Sequence, residues 1–256
     1  MEGPDVPPRF SLIPFPVLDS TNEEARRRCD MGAPAGTVIW ALQQTHGRGR
    51  RQRSWHSPTG NLYFSIIERP TKPAAEAVQI GFVASLSVAE ALSDLLPEPG
   101  AVRCKWPNDV LVNGRKICGM LMESAADHEG VLAWLVVGIG VNVLWHPDEV
   151  DLLYPATSLA HESVRMVAPE IILTAILRRY ERLRAIWNTE GFAPVRRAWL
   201  GRAHGLGQPI DVRLDQHTLS GTFADLDPDG ALLLVRDDGM HTISAGDVFP
   251  GTSPPQ

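Results

Sequence analysis

The sequence predicts an α+β fold: a larger part that mixes strands with helices, followed by a small all-β module. Three observations carry this. Residues 37–44, 61–67 and 131–143 are runs rich in apolar and β-branched residues, the pattern of buried strands. Residues 76–96 and 169–191 repeat apolar side chains at helical spacing. From Gln208 onward that period gives way to short alternating strands, with Asp229-Gly230 and Asp238-Gly239 as turns. The chain divides accordingly into residues 1–9, 10–204 and 205–256, the last boundary falling between Gly201 and Gly207.

Taken in order, residues 1–9 carry three prolines and predict a disordered lead. Residues 10–16 form a short strand. Ser20 with Glu23 three residues on has the form of a capping box, opening a helix that runs to Met31 and stops near Gly32. A helix N-terminus with hydroxyls also makes a polar pocket wall. The strand at 37–44 leads straight into a loop of about 15 residues, long enough to point to function. Residues 76–96 form one helix packed on the sheet, through Val78, Phe82, Leu86, Ala89, Leu92 and Leu96. At 102–112 a strand is interrupted by Trp106-Pro107-Asn108-Asp109 and then resumes; proline cannot donate to a central ladder, so a bulge or tight bend belongs there. Asn113-Gly114 is a hairpin turn into residues 115–123, with Lys116 at the start of an otherwise apolar strand. Gly138 and Gly140 permit close backbone approach in the strand 131–143, and Asn142 is the polar side chain near its end. In the helix at 169–191, Arg178, Arg179, Arg182 and Arg184 read as a solvated outer face, and a short helix follows at 195–200. The closing strands fall at 210–214, 218–225, 231–236 and 241–244.

The totals exclude several classes. The formal charge of −6 and pI near 5.7 argue against a dedicated nucleic-acid-binding protein. No apolar run reaches the ~20 residues that span a bilayer, and Met1-Glu2-Gly3-Pro4-Asp5 has no signal-peptide form. Cys29, Cys104 and Cys118 form no CxxC pair and read as reduced thiols of a cytoplasmic protein.

The segment Gln44 to Trp55 concentrates Arg48, Arg50, Arg51 and Arg53 around Gly49 in an otherwise acidic chain. Planar guanidinium forks and a permissive backbone suit a loop that closes on phosphate or carboxylate oxygens. The alternative from these residues alone is a solvated basic loop or a nucleic-acid patch.

The order of six segments is more specific than any one of them. Ser20-Thr21-Asn22 follows a first strand. Gln44-Thr-x-Gly-Arg-Gly-Arg-Arg-x-Arg-x-Trp55, Asn61-Leu-Tyr-x-Ser65, Lys105-Trp-Pro-Asn-Asp109, Lys116-x-x-Gly-x-Leu-x-Glu123 and Gly138-Ile-Gly-x-Asn142 come after it. Together they resemble the biotin protein ligases, from about Asp19 to about Asn142, and the β module resembles that family's C-terminal domain. The resemblance implies a central mixed β-sheet flanked by helices, class II synthetase-like, with a small C-terminal SH3-like β-barrel. It implies activation of biotin by ATP and Mg²⁺ to biotinyl-5′-AMP, then transfer to a lysine of a biotin carboxyl carrier protein domain, as in acetyl-CoA carboxylase. The rivals are a lipoate ligase or octanoyltransferase of the same superfamily and a non-catalytic biotin-binding protein.

By the same resemblance, Lys116, Arg48 and Arg50 are the catalytic residues. Ser20, Thr21, Asn22, Gln44, Arg48, Gly49, Arg50 and Lys116 bind biotin; Arg51, Trp55, Asn108 and Asn142 bind the nucleotide; Asp109 helps place the metal. Trp55 and Trp106 wall the biotin or nucleotide pocket or else belong to the ordinary core. Three departures stand out. His46 and Gln52 replace the alanine and glycine common in the family, and Gln52 is expected to stiffen the loop. Residues 247–251 lack an arginine that some members place near the nucleotide, so no ATP contact is expected from the C-terminal module. The roughly 18 residues before Asp19 leave no room for a helix-turn-helix repressor domain, so a monofunctional enzyme without operator binding is expected. By resemblance it is a monomer or a dimer, with a homodimer through the central sheet the expectation.

Overall fold

The computed structural model describes residues 4–126, 131–147, 154–162 and 167–251. Among these residues the chain forms a seven-stranded sheet and a five-stranded sheet. The larger comprises β1 (Ser11–Leu18), β2 (Thr37–Gln44), β3 (Leu62–Glu68), β4 (Val102–Lys105), β5 (Asp109–Val112), β6 (Arg115–Ala126) and β7 (Leu132–Val141). Its order is β1-β2-β3-β7-β6-β5-β4, with β1 parallel to β2 and the other pairs antiparallel, so the sheet is mixed.

Period-two alternation decides which side of this sheet each residue serves. Val38, Trp40, Leu62, Phe64, Ile66, Val137 and Ile139 face the main core. There they meet the long helices α3 (Ile80–Ser93), α5 (Pro169–Glu190) and α6 (Phe192–Leu200). On the opposite side, Ile39, Ile67 and Val136 pack against Ala25 and Cys29 of α1 (Thr21–Asp30). That helix covers only part of the face. Over the remainder the strands present Ser65, Gly119, Gly138 and Gly140, residues too small to fill a layer. A cavity is the result.

Several expectations are corrected. Residues 76–96 do not form one helix: α2 (Ala74–Ala77) and α3 are separated at Val78–Gln79. There the hydrogen bonds tighten to Gln79 N–Glu76 O, Gly81 N–Val78 O and Phe82 N–Gln79 O. Gln79 is buried at the break, and its Oε1 accepts from Trp187 Nε1 at 2.9 Å. The stretch Ala74–Ser93 does pass a length-and-hydropathy test for a membrane span, at mean hydropathy 1.3, but 78% of it is buried inside the protein. The bend expected within residues 102–112 is present and is a full reversal. β4 turns back on β5 as a hairpin with Lys105 opposite Asp109, through a cis Trp106–Pro107 peptide. Asn113 and Gly114, at φ 50° and 74°, make the next hairpin as expected.

The lead is not disordered from Pro4 onward. Val6 packs on the main core, Asp5 O accepts from Thr174 Oγ1 at 3.0 Å, and the Phe10 ring meets Tyr180 edge-on. Residues 1–3 lie outside the described residues. The α5 arginines are not simply solvated either. Arg179 and Arg182 pair with Asp94 and Glu90, and Arg184 reaches Glu68 at 2.9 Å.

The smaller sheet contains β8 (Pro209–Arg213), β9 (Thr218–Leu226), β10 (Leu232–Arg236), β11 (Gly239–Ile243) and β12 (Asp247–Pro250), in the order β11-β10-β9-β8-β12. This is the small antiparallel SH3-like domain expected, with β12 an addition. It sits directly on the larger part. Phe223, Leu226, Leu232 and Leu234 join the main core, Trp106 Nε1 donates to Gly230 O at 3.1 Å, and a Cβ on Gly230 would come within 2.5 Å of Phe82.

One buried charge ties three segments. The Glu68 carboxylate, 4% exposed, pairs with Arg9 at 3.4 Å and Arg184 at 2.9 Å, and accepts from Tyr180 Oη at 3.2 Å. Removing one partner of such a network strands the others. Glu68→Ala is expected to lose about 3 kcal/mol in urea unfolding, and Glu68→Gln less. A loss of under about 1 kcal/mol for the alanine variant would place the network with ordinary surface pairs.

Candidate active site

A cavity of about 550 Å³ opens over the glycine-rich part of the seven-stranded sheet. The start of α1 forms one wall. Ser20 is the N-cap residue, in extended conformation, but its hydroxyl makes no capping bond. The capping-box expectation therefore fails: Glu23 turns to Arg26 and Arg48 instead. The hydroxyl of Ser20 is left on the cavity wall. Thr21 N donates to Gln44 Oε1 at 2.8 Å, joining this helix start to the end of β2. The Ser65 hydroxyl lies 2.8 Å from Thr21 Oγ1 and donates to Asn22 Oδ1 at 2.6 Å. Asn22 Nδ2 donates to Leu121 O at 3.2 Å and Glu123 Oε2 at 2.8 Å. Asn22 can lie this deep because position 138 has no side chain; a Cβ there would be 2.1 Å from Asn22 Oδ1.

The arginine loop is the second wall. Its base is closed by Trp55 N to Gly47 O at 2.8 Å and by Gln44 Nε2 to Ser57 Oγ at 2.9 Å, and its neck by Gly49 N to Arg53 O at 2.7 Å. The Trp55 ring lies flat over two glycines. A Cβ at 140 would be 2.6 Å from Trp55 Nε1, and one at 119 would be 2.9 Å from Trp55 Cζ3. Arg48 bonds the carboxylates of Glu23 and Glu123. Arg50 reaches Asn108 Oδ1 and Gly246 O, each at 3.2 Å. Burial pushes the Arg50 guanidinium below its ordinary value, against the pull of Asp247 and Asp109. Arg51 and Gln52 sit at φ 53° and 58°. Glycine takes this conformation freely and glutamine does not, so the backbone at Gln52 is strained.

The third wall carries the charge. Asp109 Oδ1 lies 2.6 Å from Lys116 Nζ, and Oδ2 lies 3.3 Å from Lys105 Nζ. Asp109 and Lys105 are 8% and 6% exposed, so this group is nearly dry. Burial pushes the Asp109 carboxyl up, but the two ammoniums outweigh it and the net value is lowered. Burial lowers Lys105, which faces Asp109 on one side and lies 4.8 Å over the Tyr154 ring on the other. Lys116 Nζ stands 5.4 Å over the Trp55 ring. Two lysines against one carboxylate, with Arg50 nearby, leave a positive excess facing the cavity. Such a site attracts and orients an anion.

The cavity wall thus gathers Ser20, Thr21, Asn22, Gln44, Arg48, Gly49, Arg50, Trp55, Asn108, Asp109, Lys116 and Asn142. Asn142 is buried, its Nδ2 donating to Thr157 O at 3.0 Å. Arg51 is not brought to the cavity: it turns outward to Asp215 at 2.8 Å and Asp247 at 3.3 Å. Trp106 is not a pocket wall but a core residue, because its indole is committed to Gly230. Asp247 and Phe249 of β12 also line the cavity, so the C-terminal module contributes to its wall. Sequence reasoning gave no role to Lys105, Glu123, Tyr154, Asp247 or Phe249. The first two stand in the quoted motifs, whereas the β12 pair carried no motif at all.

Asp109, the residue expected to help place the metal, stands between two ammoniums. Each of its oxygens already faces an ammonium, and among the described residues no group of three His, Cys, Asp or Glu could hold an ion. It is the counter-ion that lets two lysines share a dry site. Asp109→Asn is expected to lose about 3 kcal/mol at pH 7. Because the folded carboxyl is lowered, the gap from wild type narrows below about pH 4 as the wild-type carboxylate protonates. A gap of constant size across that range in pH-dependent urea unfolding would sink the assignment.

Residues 15–142 match the Biotin/lipoate A/B protein ligase family, and residues 205–251 match the Biotin protein ligase C terminal domain. A biotin--[acetyl-CoA-carboxylase] ligase of Paracoccus denitrificans is 39% identical over 236 residues, 91% of this chain and 98% of the relative. A biotin protein ligase from Aquifex aeolicus solved in complex with biotin and ATP superposes with a TM-score of 0.80 at 29% identity, covering 93% of this chain and 97% of that one. The Leishmania major biotin protein ligase in complex with biotinyl-5-AMP gives a TM-score of 0.64 at 25% identity, covering 93% and 100%. Motif order, sheet topology and cavity chemistry agree with these matches, and the chain belongs to the biotin/lipoate A/B protein ligase family, among its biotin protein ligases.

Proposed function

We propose that this protein activates biotin with ATP to biotinyl-5′-AMP and then transfers the biotinyl group to a lysine of a biotin carboxyl carrier protein domain, such as that of acetyl-CoA carboxylase. The observation that carries this reading is the placement of Lys116, Lys105 and Arg50 around one cavity whose other wall is the hydroxyl and amide set of Ser20, Thr21 and Asn22. The polar set suits the ureido ring of biotin. The cationic set suits the place where two anions must meet.

In the first step a biotin carboxylate oxygen attacks the α-phosphorus of ATP, and pyrophosphate leaves. The carboxylate and the phosphate repel, so positive charge close to both lowers the barrier. Substitution at phosphorus needs positioning more than covalent assistance. Lys116 is held for this by Asp109 and by the Trp55 ring. Mg²⁺ belongs to this reading as part of the nucleotide substrate, since the described residues offer it no resident site. In the second step the acceptor amine attacks the acyl carbon and AMP leaves. The arginine loop keeps water from the mixed anhydride until then.

Biotin-dependent exchange of labelled pyrophosphate into ATP tests the first step, with lipoate and octanoate as alternative acids. Exchange with biotin alone is expected; exchange with lipoate instead would change the substrate class, and no exchange from folded protein would leave a binding protein. Lys116→Ala is expected to lower the exchange rate about 100-fold. An unaltered rate would remove Lys116 from the mechanism. Gly138→Ala drives a methyl group into Asn22. It is expected to raise KM for biotin about 10-fold or more and leave KM for ATP within about threefold. Equal rises in both would show a general collapse of the cavity.

A further inference from the structure

The loop over the cavity has almost no grip of its own. Arg51, Gln52, Arg53 and Ser54 are exposed, and none of residues 50–52 is buried. The backbone bonds Gly49 N–Arg53 O, Arg53 N–Arg50 O and Trp55 N–Gly47 O close the loop on itself. Apart from the Trp55 ring seated on Gly119 and Gly140 and the bond of Arg50 to Asn108, what holds it against the rest of the protein is charge. Arg48 is tied at the near end to Glu23 and Glu123. At the far end three arginines converge on one carboxylate of the other domain. Asp247 bonds Arg53, accepts from Arg51 Nη1 at 3.3 Å, and has Arg50 Nη1 at 3.6 Å.

Asp247 is a firm anchor. Its side chain is 14% exposed, and it opens β12, where it pairs in register with Arg213 of β8. The neighbouring Gly246 O accepts from Arg50 at 3.2 Å, and Arg51 also reaches Asp215 at 2.8 Å. Phe249, two residues on along the same strand, lines the cavity. The edge of the C-terminal domain therefore meets the loop through a shared, largely dry counter-ion. A carboxylate serving three guanidiniums is a stronger tether than separate surface pairs.

We propose that Asp247 is a positioning residue of the reaction. From the C-terminal domain it seats Arg51 and Arg53, which holds the loop down as the cover of the cavity and aims Arg50 inward. Retention of the acyl-adenylate is then set by a residue outside the catalytic sheet. The proposal rests on the ligase reading above and gives the C-terminal domain a role in it: closing the site between the two half-reactions.

Asp247→Asn keeps the shape and removes the charge, and Asp247→Glu keeps the charge. The purified full-length variants are incubated with biotin and ATP without acceptor, and free and enzyme-bound biotinyl-adenylate are separated over time. Trypsin cleavage after Arg50, Arg51 and Arg53 is followed in parallel without ligand. Asp247→Asn is expected to release adenylate and to be cut in the loop about 5-fold faster than wild type, with a larger KM for ATP. Asp247→Glu restores most of the retention. Arg51→Ala with Arg53→Ala reproduces the leak, and adding Asp247→Asn to that pair adds little, as expected of groups acting through one contact. Wild-type retention and wild-type cleavage in Asp247→Asn would overturn the proposal. So would a Glu variant as leaky as the Asn variant, or fully additive effects. If the wild-type protein shows no biotin-dependent exchange, the ligase reading fails by itself, and the trypsin arm still decides whether Asp247 seats the loop.

Discussion

A sheet face left bare of side chains is the constraint on which the site depends. Position 138 admits Asn22, and positions 119 and 140 admit the Trp55 ring and the Lys116 side chain, because a Cβ at any of the three would stand within 3.0 Å of those groups. On the other side of the same strands Val137, Ile139 and Val141 fill the main core. The alternation of branched residues with glycines along β7 thus performs two tasks at once. It packs one side of the sheet at full density and brings the other side's ligands down to the backbone. Asn22 is held there by Ser65, Leu121 and Glu123, and Trp55 by the closed base of the loop.

Charge is arranged on the same scale. The basic residues of the site do not face one another unscreened, as each is matched to a carboxylate: Arg48 to Glu23 and Glu123, Lys105 and Lys116 to Asp109, and Arg51 and Arg53 to Asp247. The matching is incomplete by design of the chemistry. Asp109 serves two ammoniums and Asp247 three guanidiniums, so the cavity keeps a positive excess for an anionic substrate while the protein avoids a buried unpaired charge. The acidic balance of the whole chain, −6, coexists with this local excess because the acids are spread over the molecule.

Legibility in the sequence followed the range of the interactions. β2, β3, β6, β7 and α5 were readable because alternation and helical period are local consequences of burial. The hairpin at Asn113-Gly114 was readable because that turn needs left-handed backbone. Less was visible where a local pattern admitted two outcomes. The Ser20–Glu23 spacing fits a capping box, yet Arg48, 25 residues downstream, claims Glu23. Residues 102–112 could bend or reverse, and pairing with β6 decided for reversal. The helical period of residues 76–96 hides a break set by the bond of Gln79 to Trp187, distant in the chain.

By itself the sequence determined the mixed α/β part with its separate β module, the cluster of arginines and glycines, and the order of segments that marks the family. These depend on residue type and near-neighbour spacing, which the chain carries whatever its folded shape. The tertiary structure alone decided which of those residues share a cavity. It sent Arg51 outward and Trp106 into the core, made Asp109 a counter-ion to two lysines, and brought Asp247 and Phe249 from the last strand to the wall. The physical reason is that the placements of Arg51, Trp106, Asp247 and Phe249 depend on how the two domains dock through Gly230, Phe82 and Trp106, and that the Asp109 cluster forms only once β4, β5 and β6 pair; no local pattern encodes either.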